Sequence, residues 1–375
     1  MNEKLHIVCL DAPSPPNYGG AIDMFYKVKA LAESGKRVIL HYYAYRPGRD
    51  SGVLRDFCEE IHAYDRKSFL RSFDFHKPYI VRSRINRHLI QRLNDDDAPV
   101  LLEGLHTAGL IAFLKTPQRV VLRMHNEERE YYRMLAKAEK KVVRRMYLRL
   151  ESHQIKNYYR ELPSNLILAS LSQSDVASFQ NDYGFLNVHF IPAFNPWHQV
   201  KSREGKGPYC LYHGNMAVAE NESAALWLIE QVFSRISTPF VVAGNGISPR
   251  VFRAARHCQH IQLVNDPSME DIRDLVQEAH VNVLPSMNDT GVKLKLLHAA
   301  FEGRFCISNP GGVKGSSIEN GIIQCSDPED YIRVIDELVV RAFTSEDKKN
   351  RQQLLKVYDN RLNAERLSAL WRHYQ

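Results

Sequence analysis

VNVLPSMNDTGVKLKLLHAAFEGRFCISNPGGVKG, residues 281–315, settles the fold class of this chain. Val281–Leu284 is a short continuous apolar run, the pattern of a strand buried on both faces. A polar loop follows, with Ser286, Asn288, Asp289, Thr290 and Gly291. Val292–Phe301 then has helical spacing, and Phe305–Ser308 is a second apolar strand. Two buried strands joined through a helix form a crossover unit, which makes a parallel sheet with helices on its faces. The helix start faces the loop with its free N–H groups and the positive end of its dipole. Lys293 and Lys295 lie in that first turn, where cations disfavour the helix. Such a pair is explained by a phosphate or diphosphate held between the lysines, against the plainer reading of lysines pointing to water.

The same alternation runs outward from this unit. Upstream lie strands Tyr209–His213, Phe240–Ala243 and His260–Val264, with helices Glu222–Ile236 and Met269–Ala279. Gly214 and Asn215 follow the first of these strands, and Gly244-Asn245-Gly246 follows the second. Asn187 to Pro208 has no sustained period and several prolines, which predicts a linker. Before it, Leu5–Leu10, Arg37–Tyr43, Pro99–Leu102, Arg119–Met124 and Asn165–Leu171 read as strands. A Pro/Gly-rich loop ending in Gly19 and Gly20 opens the first helix, where N–H groups can meet an anion. Neither the G-x-G-x-x-G fingerprint nor a Walker A sequence is present, so nicotinamide, flavin and P-loop readings lack support. The expected organisation is 1–186 as one Rossmann-like domain, 187–208 as linker, and 209–344 as a second such domain. Residues 345–375 would form helices returning to the first. Two doubly wound sheets joined in this way are expected to face a central cleft, with ligands at the carboxyl ends of the strands.

At 375 residues, 44% hydrophobic and 25% charged, the chain has material for two cores. No apolar run reaches the ~18–20 residues that cross a bilayer, and the N-terminus enters a strand without a signal-peptide pattern. The six cysteines are dispersed, which predicts reduced thiols and neither disulfides nor a zinc site. The expected location is cytoplasmic, peripheral on the inner membrane face. The net charge of +7 is unevenly spread. Arg129–Arg160 holds ten Lys/Arg against three Glu, and Arg66–Arg92 holds eight against Asp74 alone, so the rest is net acidic. Within Glu130–Arg160, Leu135, Ala138, Val142, Met146 and Leu150 form one apolar stripe. Segments 66–92 and 129–160 are either solvated faces or contacts for an anionic membrane surface. No nucleic-acid recognition motif appears, so no nucleic-acid partner is expected. Asp95-Asp96-Asp97 is read as an ordinary acidic loop, and no metal is expected.

HGNMAVAENESAALWLIEQV, FVVAGNG and the 281–315 segment, in this order and spacing, resemble glycosyltransferase family 4 and its group 1 relatives. PPNYGG, VLRMHNEEREYYRML and FIPAFNP in the first half extend the resemblance over nearly the whole chain. It implies the GT-B fold and a metal-independent, retaining hexosyltransferase of cell-surface polysaccharide synthesis. No cofactor is implied. The donor would be a nucleotide-diphosphate sugar and the acceptor a glycan or lipid-linked glycan. The resemblance places Gly19 and Gly20 near the diphosphate, His125 near the sugar, and Gly214 and Asn215 in the donor lobe's glycine turn. Lys295, with Lys293, would pair with the diphosphate. Gly244, Ser286, Asp289, Thr290, Gly291 and His298 complete the expected donor contacts. The pattern departs from the family at two points. Thr290 and His298 stand where a Glu-x7-Glu pair is usual, and MAVAENE replaces the usual Arg and Lys after the glycine turn. These departures keep two alternatives open: a catalytically silent binding protein and a nucleotide-sugar epimerase.

Overall fold

The computed structural model describes residues 3–288 and 291–372. The chain forms two compact units, Met1–Pro196 with Tyr358–Gln375, and Trp197–Val357.

The first unit is built on seven strands: β1 (Lys4–Cys9), β2 (Arg37–Tyr43), β3 (Glu60–Tyr64), β4 (Val100–Glu103), β5 (Val120–Met124), β6 (Ile167–Ser170) and β7 (Asn187–Phe190). Their order is β3-β2-β1-β4-β5-β6-β7, and every pairing is parallel. Strand alternation divides the apolar residues between two cores. Leu5, Ile7 and Cys9 of β1 join one, and Val8 joins the other. The first core is covered by Met24, Val28 and Leu31 of helix Gly19–Glu33, and by Ala364, Leu367 and Trp371 at the chain's end. The returning segment is fixed by polar contacts as well. Asn360 Nδ2 donates to Asn195 O at 2.7 Å, and Asn195 N–H donates to Asn360 Oδ1 at 3.1 Å. Trp371 Nε1 donates to Arg119 O at 2.9 Å, so its indole N–H is satisfied while the ring is buried.

The second unit has six strands: β8 (Cys210–His213), β9 (Phe240–Gly244), β10 (Ile261–Asn265), β11 (Val281–Val283), β12 (Phe305–Ser308) and β13 (Ile323–Gln324). They are also parallel, in the order β10-β9-β8-β11-β12-β13. In each sheet the chain winds outward from one central pair, β1 beside β4 and β8 beside β11. The winding direction reverses there, and crossover loops leave a crevice at the carboxyl ends of those strands.

The structure differs from the sequence reading at particular places. β7 lies inside the segment 187–208 expected as linker, so the first sheet reaches Phe190. Of the expected returning segment 345–375, helix Ser345–Leu354 stays with the second unit. Only the part from Tyr358 on, with helix Asn360–Ala369, belongs to the first. β3, β7 and β13 escaped detection because edge strands are covered less. EIHAY, NVHF and IQ carry no continuous apolar run. The basic segment 129–160 lies in two helices, Glu128–Ala138 and Val142–Glu161. Of the apolar stripe, Leu135, Val142 and Met146 are exposed. Leu148, Ile155, Tyr158 and Tyr159 do the packing.

Candidate functional site

In the first unit the carboxyl ends of the central strands gather charged side chains in the core. Asp23 and Lys27 sit one turn apart on helix Gly19–Glu33 and face inward. Lys27 Nζ lies 2.5 Å from Asp23 Oδ2 and 2.9 Å from Glu103 Oε2, at the end of β4. His125, just after β5, places Nε2 at 2.8 Å from Glu103 Oε2 and 3.7 Å from Asp23 Oδ2. Arg123 donates to the carbonyls of Ile191 and Pro192 at 2.5 and 2.8 Å, and reaches Asp23 at 3.2 Å. Burial alone would push the Asp23 carboxyl up. The facing Lys27, Arg123 and His125 outweigh it and hold the group well below the usual range. Asp23, Glu103 and His125 bring possible ligand atoms within 4.8 Å of one another. The Lys27 ammonium already lies between the two carboxylates and supplies the countercharge a metal would bring. His125 is therefore a held, oriented imidazole. Gly20 packs against it: a Cβ there would stand 3.5 Å from His125 Nδ1 and 3.2 Å from the Tyr18 ring. Gly19 opens the helix and is exposed.

In the second unit, β8 and β11 end in Gly214-Asn215 and in the loop from Leu284. Helix Leu294–Glu302 starts beyond that loop. Its N-cap, Lys293, provides no side-chain cap, and Leu296 N–H turns back to Lys293 O at 2.9 Å. Lys295 Nζ donates to Asn221 Oδ1 at 3.1 Å and Tyr212 Oη at 3.2 Å, and lies 4.7 Å from the Tyr212 ring centroid. Burial lowers its pKa to about 8; Glu220 opposes the shift and Lys293 adds to it. Ser286 Oγ lies 2.6 Å from Glu220 Oε1, and its N–H donates to Asn309 Oδ1 at 2.8 Å. Asn288 Nδ2 donates to Glu220 Oε2 at 3.3 Å. Gly291 adopts φ +70°, a conformation that favours glycine. Asp289 and Thr290 lie outside the described residues.

Other predicted residues have structural duties. A Cβ on Gly244 would fall 1.7 Å from Gly214 O, so this glycine permits the β8 and β9 turns to touch. Asn215 is used locally: Oδ1 accepts from Ala217 N–H at 3.0 Å and its carbonyl accepts from Asn221 Nδ2 at 2.9 Å. The His298 ring stacks on Trp197 at 5.0 Å, and Nε2 is 3.4 Å from Glu302 Oε2 one turn further along. His298 is thus backed by a carboxylate. Across its edge lies His213, whose Nε2 has no hydrogen-bond partner among the described residues.

The sequence reading missed Asp23, Lys27, Glu103, Tyr212, Glu220 and Asn221. Asp23 and Lys27 had a signal, an opposite-charge pair at i,i+4 beside the stripe Met24, Val28 and Leu31. Glu103 ends an apolar strand. Glu220 had none, since an acidic residue in a helix's first turn is ordinary. Asp96, of the acidic triple, lies at the opposite edge of the sheet. It accepts from Lys4 at 2.6 Å and faces His6 at 3.2 Å.

Residues 207–340 match the family model for glycosyl transferases group 1. A 44.6 kDa protein from the cps region of Klebsiella pneumoniae, itself uncharacterized, is 25% identical over 335 residues, covering 85% of this chain and 86% of that protein. A solved glycosyltransferase from Rickettsia africae has a TM-score of 0.67 at 12% identity, over 100% of this chain and 99% of that one. A TarM mutant from S. aureus, solved with fondaparinux, α-GlcNAc-glycerol and UDP, has a TM-score of 0.65 at 10% identity. It covers 99% of this chain and 100% of its own.

Proposed function

Starting from a GT-B glycosyltransferase whose residues 207–340 form a group 1 lobe, we propose that this protein is a retaining transferase moving a sugar from a nucleotide-diphosphate donor to a glycan or lipid-linked acceptor. The observation that carries this reading is Lys295, set in the first turn of an uncapped helix beside the β8/β11 reversal. Glycosyl transfer from such a donor builds negative charge on the departing diphosphate. A preorganised ammonium and the positive end of a helix dipole stabilise that charge without metal chemistry. Lys295 and the helix start are assigned to the diphosphate. Trp197 and His298 offer a flat aromatic and hydrogen-bonding face for the nucleoside, with His298 in place of the usual carboxylate. His125, oriented by Glu103, is assigned to the sugar. The relative from a cps region supports a role in cell-surface polysaccharide synthesis, and the TarM complex with UDP supports a nucleoside-diphosphate ligand.

A second reading, a silent binding protein, is favoured by Glu220, whose carboxylate offsets Lys295 near the site. Thermal denaturation with a panel of nucleoside diphosphates tests both readings at once. A rise in Tm with at least one of them is expected, and no rise with any defeats the donor assignment. Sugar transfer abolished in folded Lys295→Ala supports catalysis. NMR of the product's anomeric centre reads out retention.

The first unit also presents a surface suited to an anionic bilayer on the inner membrane face, and we assign it that contact. Among the described residues no helix is long and apolar enough to cross a membrane. Exposed Val142, Val143 and Met146 stand in sequence among Lys140, Lys141, Arg144 and Arg145, and exposed Phe75 packs on Phe73. Phe69, Lys141, Val143, Arg144 and Tyr147 line an apolar hollow of about 430 Å³. Phe69 meets Tyr147 edge-on at 5.7 Å, which joins segment 66–92 to helix Val142–Glu161. Each basic residue near such a surface adds ~1 kcal/mol of attraction. Sedimentation with phosphatidylglycerol vesicles should fall at least fivefold in Val143→Glu/Met146→Glu. Equal sedimentation of both proteins would remove this assignment.

A further inference from the structure

Parallel strands bring their carboxyl ends to one edge, so residues far apart in sequence meet there. In the first unit Asp11 follows β1, Tyr45 and Arg46 follow β2, Arg66 follows β3, and His106 follows β4. Arg84 joins them from the loop after helix Tyr79–Arg82, its Nε donating to Leu10 O at 2.8 Å. Three guanidiniums converge on the Tyr45 ring: Arg66 at 4.8 Å, and Arg46 and Arg84 each at 5.4 Å from its centroid. A fourth, Arg49, lies 4.8 Å from the Tyr18 ring, which Arg46 approaches at 5.3 Å.

The countercharge is small. Asp11, fully buried, lies 3.4 Å from Arg46 and 3.6 Å from Arg49, and also accepts from Tyr18 Oη at 2.8 Å. Among the described residues no carboxylate oxygen comes within 4.0 Å of Arg66 or Arg84. The Glu151 carboxylate, on a neighbouring helix, feels the Arg66 charge from beyond that distance and accepts the Ile80 N–H. Arg49 is used as a brace, donating to Ala12 O and Asn17 Oδ1. Arg84 is a second brace, with bonds to Leu10 O and Ile80 O. Among the described residues the Arg66 side chain makes one hydrogen bond, from Nε to Ser83 Oγ at 3.2 Å, which leaves its terminal fork for a ligand. Like charges packed this closely repel, and the tyrosine faces return only part of that cost. An arginine fork matches the paired oxygens of a phosphate group.

We propose that Arg46 and Arg66, with Arg84 behind them, form a binding site for a phosphate ester or diphosphate in the first unit. Resting on the transferase reading, this makes the acceptor an anionic one, held by a phosphate-class group at the reversal between β1 and β4. Two of these arginines fall in the basic segment 66–92, so part of that segment serves an inward site. The phosphate could belong to a soluble or lipid-linked acceptor or to a membrane headgroup, and both present the same oxyanion.

Inorganic pyrophosphate is titrated calorimetrically into the full chain carrying Lys295→Met, which removes the buried one of the two donor-lobe lysines. The same titration is made with Arg46→Gln/Arg66→Gln added. Both arginines are partly exposed, and circular dichroism with thermal midpoints checks folding. A loss of at least tenfold in pyrophosphate affinity is expected, with partial retention in Arg66→Lys, which keeps the charge and loses the fork. Equal affinity in the arginine variants, or no pyrophosphate binding in the Lys295→Met parent, overturns the site. Phosphatidylglycerol vesicles identify the source. A parallel loss of vesicle binding supports a headgroup, and unchanged vesicle binding supports an acceptor phosphate. Failure of every nucleoside diphosphate to bind the unmodified chain would remove the transferase reading and leave the pyrophosphate result standing.

Discussion

Lys295 is the residue on which the donor lobe depends, and its environment makes its charge conditional. Burial brings its pKa down to about 8, so raising pH through that value neutralises the group that attracts the diphosphate. Nucleoside-diphosphate affinity should therefore fall at least fivefold between pH 7 and pH 9.5. Lys295→Arg should flatten that profile, as guanidinium keeps its charge throughout. Glu128 shows the opposite shift. Burial, and then Glu127 beside it, raise its pKa to about 8. The folded chain thus holds a proton that the unfolded chain releases near 4.5. The associated stability is complete below pH 4.5 and is lost as pH rises through 8. Glu128→Gln should match the parent near pH 5 and exceed it at pH 9 by about 1–2 kcal/mol, measured by urea denaturation. Of these features, Lys295 was legible from its position in a helix start. The state of Glu128 was not, since only its burial against Glu127 decides it.

At the scale of elements, helix Leu294–Glu302 carries a local conflict. A lysine at its N-cap forms no cap and opposes the dipole. Lys293→Ser should raise stability by about 0.5–1.5 kcal/mol and weaken nucleoside-diphosphate binding. Thermal denaturation and titration of the same variant check the two halves separately, and stronger binding would contradict the assignment. The helices of the basic segment carry a different lesson. Periodicity reads Leu135, Val142 and Met146 as one stripe and leaves open which way it faces. An amphipathic pattern marks a face without saying what covers it. The break at Glu139–Lys141 and the packing of Leu148, Ile155 and Tyr159 turned the stripe to solvent.

At the scale of the whole molecule, the first unit is closed by residues from the far end of the chain. Trp371 is 3% exposed, and it joins the core of Leu5, Ile7 and Met24. Trp371→Ala should destabilise the protein by about 3–5 kcal/mol in chemical denaturation. A change below about 1 kcal/mol would mean that the C-terminal helix is not part of that core.

By itself the sequence determined the parallel α/β architecture, because buried strands and crossover helices leave short-range periodic patterns. Val281–Ser308 shows both within one stretch, and β2 and β12 have the bounds read from it. It also determined where the helix starts bearing Gly19 and Lys295 lie, since turn chemistry is local. Only the tertiary structure decided which charges meet. Asp23, Lys27, Glu103 and His125 come from three elements, and Arg46, Arg66 and Arg84 from three loops. Parallel strand order places their carboxyl ends at one edge, and pairing across such distances leaves no periodicity in a single chain. The edge strands and the direction of the basic stripe were likewise settled by what packs beside them, because local pattern registers a face and burial depends on its neighbours.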